Sequence, residues 1–173
     1  QERLVEAEQA LSRAIELDDD HLFARIEFSQ ILIDSGRFGE AESALAAALD
    51  LQPENPQLLL ILGDCQLRLD HDAAAATTLA RALATRAVDP IDIARLYYQH
   101  QRPKRAIEYY QRALSRAPRD PLILNNLAWT YAEEGMRLHY ALELSLQAVK
   151  IDADRPVYLD SYAELLHLLG RHQ

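Results

Sequence analysis

Four groups of residues in this 173-residue chain have types that could do chemistry: six histidines, one cysteine, a run of three aspartates and a stretch rich in tyrosine and arginine. The histidines are His21, His71, His100, His139, His167 and His172, and none forms a His-x-x-x-His or His-Glu-x-x-His pair. His167 and His172 are five apart, a poor spacing for two ligands on one helical face. No metal site is expected. Asp18, Asp19 and Asp20 lack the alternating acids, central glycine and distal glutamate of a calcium loop. They read as a turn in which an acid caps the next helix. Cys65 has no histidine at a catalytic spacing, and a lone cysteine forms neither an internal disulfide nor a thiolate cluster. It reads as a buried, inert thiol. No Gly-x-Ser-x-Gly, phosphate-cradling glycine loop or dinucleotide fingerprint occurs, so no catalytic residue and no cofactor is expected.

The stretch from Arg95 to Arg119 mixes Arg and Lys with Tyr97, Tyr98, Tyr109 and Tyr110, a composition that suits single-stranded nucleic acid. Tyr97 and Tyr110 fall at packing positions of the repeat described below, and the whole chain carries a net charge of −9, which repels phosphate. Nucleic acid is not expected as a partner. The charge is uneven. Residues 1–70 hold 5 basic and 15 acidic side chains, whereas residues 89–121 hold 7 basic and 4 acidic. No apolar run approaches the ~20 residues that span a bilayer, so no direct membrane insertion is expected.

The elements that must position these residues are helices. Hydrophobic residues make up 49%, while 5 Gly and 7 Pro are few for an all-β chain. Ala, Leu, Arg, Glu and Gln are good helix formers. The motif Ala-x-x-x-(large)-x-x-Ala recurs at Ala7/Leu11/Ala14, Ala41/Leu45/Ala48, Ala75/Leu79/Ala82, Ala106/Tyr110/Ala113 and, with a serine, Ala141/Ser145/Ala148. Its first alanines are 34, 34, 31 and 35 residues apart. Intervals of four and three put each set on one helical face, where small side chains let a second helix approach closely. Between these segments lie partner helices carrying Phe28 and Leu32, then Leu59, Leu62 and Gly63, then Leu124, Leu127, Ala128 and Tyr131, and last Leu159, Tyr162, Ala163 and Leu166. Gly36, Gly135 and Gly170 are expected to end three of them in the left-handed region. The 31-residue interval predicts a short helix, about Ile91 to His100, opened by Asp89 and Pro90.

A 34-residue period of antiparallel helix pairs, with Leu127 to Gly135 reading L-A-W-T-Y-A-E-E-G and turn prolines at Pro53 and Pro118, resembles the tetratricopeptide repeat family. The resemblance covers essentially the whole chain. It implies an all-α solenoid, a right-handed superhelix of about four and a half repeats forming a single array over 1–173. The expected parts are 1–21 (second helix of a truncated repeat), 22–55, 56–86 (short), 87–120, 121–155, and 156–173 (first helix of a truncated repeat). The chain opens at Gln1 inside a helical pattern, without a signal peptide or initiator methionine, so a segment of a longer polypeptide is expected.

In that family the first helices line a concave groove. Carried over, the partner-binding positions are Phe23, Gln30, Leu60, Asp64, Arg68, Arg95, Tyr98, Asn125, Trp129, Glu133, Asp160 and Glu164, with Ile26, Ile33, Leu67, Ile91 and His167 on the same faces. Trp129 is the candidate anchor. The implied function is a scaffold that holds another protein or peptide, not an enzyme. The wording is also similar to the repeat regions of bacterial exopolysaccharide-export envelope proteins, PelB-like or AlgK-like, which would place the chain in the periplasm. The alternatives are a structural spacer, self-association through uncapped ends, or an auxiliary domain of a cytoplasmic enzyme.

Overall fold

Four helices begin on a proline that follows a seam alanine by eight residues: Pro56, Pro90, Pro121 and Pro156. Proline suits the first helical position because its missing N–H would have no partner there. Asn55, Asp89 and Asp120 stand before three of these prolines, and their side chains accept hydrogen bonds from the first-turn amides at 2.9–3.3 Å. Such caps contribute about 1 kcal/mol each.

The computed structural model describes residues 2–172, and among them are ten helices and no strand. They are α1 (Glu2–Leu17), α2 (Leu22–Asp34), α3 (Phe38–Leu51), α4 (Pro56–Arg68), α5 (Asp72–Ala84), α6 (Pro90–Gln99), α7 (Pro103–Arg116), α8 (Pro121–Glu133), α9 (Leu138–Ile151) and α10 (Pro156–His172). Gln1 and Gln173, the outer bounds of the expected array, lie outside the described residues, as does the side chain of His172. The helices form two compact units, residues 1–88 and 89–173. In the first unit α1, α3 and α5 are second helices and α2 and α4 are first helices. In the other, α6, α8 and α10 are first helices and α7 and α9 are second helices.

The seam behaves as its spacing demands. Ala41, Leu45, Ala48, Ala75, Leu79, Ala82, Ala106, Tyr110, Ala113, Ala141, Ser145 and Ala148 are all 2% exposed or less. The α1 set, Ala7, Leu11 and Ala14, is half-buried. Gly63 shows how close the helices come: a Cβ placed there would lie 2.5 Å from Leu79 Cδ2.

First helices end in a common turn. Gly36 and Gly135 have φ of +73° and +62°, and Asp70 and Gln101 take the same left-handed conformation at +58° without being glycine. The amides of Arg37, His71, Arg102 and Met136 then each reach back to the carbonyl five residues earlier at 2.8 Å. This closes the carbonyls that a helix end leaves open. Gly170 departs from expectation. It lies inside α10, which runs on to His172. Leu159, Ala163 and Leu166 on that helix are exposed, while Tyr158, Ser161, Leu165 and Leu169 are buried.

Two irregular intervals have simple causes. α6 has 10 residues where α4 and α8 have 13, so the shortening lies wholly within that first helix. The 35-residue interval comes from Met136, an extra residue between Gly135 and Arg137, which itself sits at φ +49°. The aspartate turn also differs from expectation. His21 caps α2, its Nδ1 accepting from the Ala24 amide, and Asp19 instead pairs with Arg25.

Candidate functional site

α8 is held by burial of Leu124, Leu127, Ala128 and Tyr131. Asn125 and Trp129 are four residues apart, so they share a different face of the same helix. On α10, buried Tyr158, Leu165 and Leu169 set the rotation that turns Val157, Asp160 and Glu164 outward. On α6, buried Ile93, Ala94 and Tyr97 leave Arg95 exposed and Tyr98 half-buried. These three faces enclose a cavity of about 640 Å³. It is lined by Arg95, Tyr98 and Gln99 of α6, Tyr110 of α7, Asn125, Asn126, Trp129 and Thr130 of α8, and Val157, Asp160, Ser161 and Glu164 of α10. Ligand pockets are commonly of this size.

Register puts three unlike side chains at one level. Arg95 and Trp129 each lie six residues before the left-handed residue that closes their helix, Gln101 and Gly135. Trp129 and Glu164 each lie eight residues after their helix-opening prolines. The groove is therefore crossed by a cation, an indole and a carboxylate in turn. Asn125 and Asp160 sit one turn nearer the helix starts.

The aromatic wall is tied together. The Tyr98 hydroxyl donates to Glu133 Oε2 at 2.7 Å, with Trp129 beside it. Burial, reinforced by Glu133, pushes the Tyr98 hydroxyl up to about 12. Tyr110 is also pushed up to about 12 by burial, with Arg95 opposing. Asn125 is 5% exposed, and its Oδ1 has no hydrogen-bond partner although it is buried. A buried amide oxygen without a donor costs about 1–3 kcal/mol, which a donor from a bound ligand would offset. Among the described residues, Arg95, Asp160 and Glu164 form no ion pair.

Six of the twelve expected groove residues thus meet at one cavity: Arg95, Tyr98, Asn125, Trp129, Asp160 and Glu164. Glu133 does not line it but anchors Tyr98. The five in the other unit are not brought to a cavity of this kind. Phe23 is 66% exposed on α2, and Leu60 is half-buried on α4. Gln30 is engaged by Asp34 at 2.8 Å, and Arg68 by Asp64 at 2.9 Å, each pair along its own helix. Arg68 also lies over the Phe38 ring at 5.0 Å. Leu67, expected on a groove face, is a core residue at 2% exposure. Ile26, Ile33 and Ile91 are half-buried and His167 is exposed.

The sequence reading missed Gln99, Asn126, Thr130, Val157 and Ser161. Most are immediate chain neighbours of residues it named, the edge positions of the same faces. Tyr110 was read as packing, and it is both packed and at the cavity floor. Tyr109 proves to be core as well, stacked on Tyr97 with ring centroids 5.5 Å apart. Cys65 is fully buried, and its thiol is pushed up to about 11, chiefly by burial, which keeps it protonated at neutral pH. Among the described residues, no helix is long and apolar enough to cross a membrane.

The sequence model of the tetratricopeptide repeat matches residues 26–90 and 91–156. The chain belongs to the tetratricopeptide repeat family. All ten helices fit that all-α class. Among solved tetratricopeptide repeat proteins, YrrB superposes with a TM-score of 0.65 at 22% identity, over 92% of this chain and 84% of that one. It is described as having an unusual peptide-binding site. MamA superposes with a TM-score of 0.69 at 20% identity, over 87% of this chain and 84% of that one. A TPR repeat-containing protein of Pseudomonas aeruginosa, PA4667, is 27% identical over 182 residues, covering 98% of this chain. The chain spans 30% of the length of that relative. Tetratricopeptide repeat proteins are in general scaffolds that hold proteins or peptides, and this chain shares their architecture.

Proposed function

We propose that this chain is a non-catalytic scaffold whose α6–α8–α10 face holds an exposed segment of another protein. The observation that carries the reading is Trp129. It is half-buried among the residues that line the 640 Å³ groove, beside Tyr98, whose hydroxyl is held by Glu133. A large aromatic held in place in a groove is the commonest kind of binding hot spot. The peptide-binding site ascribed to YrrB, a fold neighbour, is consistent with it.

The test uses the fact that Trp129 is the sole tryptophan. A partner captured from lysate and purified is titrated against the chain while its own fluorescence is subtracted. The expected result is a saturable shift in Trp129 emission, and loss of capture by Trp129→Ala and Arg95→Glu variants that keep full helicity. Capture that survives both changes places the interface elsewhere.

We further propose that the scaffold serves a bacterial envelope assembly, such as exopolysaccharide export, in the periplasm. The Ala-, Leu- and Arg-rich wording and the Pseudomonas aeruginosa relative support this narrower reading. Fractionation of the native host, with recovery in the cytosol alone, would end it. Self-association is a second reading, favoured by the exposed Leu159 and Leu166 on α10 and Leu4 and Val5 on α1. Sedimentation across a hundred-fold range of concentration, with Leu166→Glu as control, tests it.

A further inference from the structure

The groove is chemically asymmetric, and the asymmetry is local. Residues 89–173 carry eleven basic and eleven acidic side chains, so the second unit has no net charge of its own. Yet the α10 wall offers Asp160 and Glu164, four residues apart on one helical face and, among the described residues, outside any ion pair. Glu133 adds a third carboxylate beside the aromatic wall, against the single cation Arg95 on the far side. Asn125 provides an independent sign of an unfilled site, because it is 95% buried by its exposure of 5%, lines the cavity, and has an unpartnered Oδ1.

An apolar segment laid over this groove would strip water from Asp160 and Glu164 and return nothing to them, which is costly. A cation reverses that sign. Its long apolar stem can lie against Val157 and the indole, while its charged head reaches the two carboxylates. Building on the groove reading above, we propose that the bound segment is a peptide with an arginine or lysine seated between Asp160, Glu164 and the face of Trp129, and with an acidic group further along, toward Arg95. The order cation, indole, carboxylate across α6, α8 and α10 then fixes which way the segment runs.

The test is selection of a phage-displayed random dodecapeptide library on the whole 173-residue chain, in parallel with an Asp160→Arg/Glu164→Arg variant and with Trp129→Ala. The wild-type selection is expected to enrich Arg and Lys, and the charge-reversed variant to enrich Asp and Glu instead. For a selected peptide, replacing its basic residue with norleucine should weaken binding about ten-fold or more by fluorescence anisotropy. If the charge-reversed variant does not fold, Glu164→Gln is combined with the norleucine peptide, and the two losses should be strongly non-additive. Peptides that need Trp129 but show no preference for a cation overturn this proposal and leave the groove reading standing. Selection that ignores Trp129 overturns both.

Discussion

The two units divide the aromatic residues between them. All three phenylalanines, Phe23, Phe28 and Phe38, lie in residues 1–88, whereas the tryptophan and all eight tyrosines lie in residues 89–173. The charges divide as sharply, with 7 basic and 16 acidic residues in the first unit against eleven of each in the second. The polar groups on the first-helix faces also differ in what they do. In the first unit Gln30 turns to Asp34 along α2 and Arg68 to Asp64 along α4, while Gln66 of α4 reaches Glu42 of the second helix α3. In the second, Tyr98 of α6 reaches Glu133 of α8, and the charged residues around the cavity are left for something else. The first unit does have a hollow of about 530 Å³, but it lies against α1 and α3, with Ser12, Ile15, Phe28 and Ser43 among its walls. The 640 Å³ cavity lies where the first helices α6, α8 and α10 follow one another, and there Tyr98 bonds from one first helix to the next.

The largest effect that would sharpen this contrast is in binding. Trp129→Ala should weaken a groove ligand by about 2 kcal/mol or more, roughly thirty-fold, while Arg68→Ala changes affinity less than two-fold. Titration calorimetry with a selected peptide reads both, and equal losses would mean that the two faces do not differ in role.

Packing is next. Gly63→Ala should destabilise the first unit by about 1–3 kcal/mol, because its Cβ meets the buried Leu79. Urea unfolding measures this. The equivalent positions seven residues before the closing turn in the second unit are already alanine, Ala94 and Ala128. A neutral Gly63→Ala would show that the first unit is no tighter there.

Titration separates the units in a third way. Tyr98 and Tyr110 are raised to about 12 from an ordinary value of 10, so the folded second unit keeps protons that the unfolded chain releases. Its stability is complete below about pH 10 and falls as pH rises toward 12. In the first unit the corresponding group is Cys65, raised to about 11 from 9, which gives a loss beginning about one unit of pH earlier. Cys65→Ala should remove the earlier loss alone, followed by circular dichroism, while Trp129 emission and tyrosinate absorbance follow the later one. Tyr98→Phe should cost about 1 kcal/mol and move Trp129 emission without moving the cysteine step.

The smallest effect is at the turns. Gln101 takes a left-handed conformation at the position that Gly36 and Gly135 fill elsewhere. Gln101→Gly should stabilise the second unit by about 0.5–1 kcal/mol, the relief of backbone strain less the entropy that glycine loses. Thermal unfolding that drops instead would mean the glutamine side chain matters more than its backbone.

Spacing made the helix pairs legible before any coordinates, because alanines four and three apart have one packing use and recur with a fixed period. The Asn-Pro and Asp-Pro openings at 55–56 and 120–121 carried an equal signal, of which only Asp89-Pro90 was read. What spacing cannot give is rotation set by neighbours. Leu67 and Arg68 are adjacent, yet one is core and the other pairs with Asp64, a difference settled by how α4 rolls against α3 and α5. Leu159 and Ala163 matched the buried pattern of earlier first helices and are exposed, since α10 rests on α8 and α9 through Tyr158 and Leu165 instead. The link from Tyr98 to Glu133 and the unmet oxygen of Asn125 depend on side-chain positions across separate helices, which a linear pattern does not contain.

The length changes at α6 and Met136 bear on how such chains can be edited. Three residues turn a helix through about 300°, within about 60° of a full rotation, so α6 could lose that much and still bury Ile93, Ala94 and Tyr97. One residue would have swung them by about 100°, out of the interior. A single addition is harmless only in a connector, where Met136 sits. Insertions and deletions engineered into this chain should therefore come in threes or fours inside helices and singly between them.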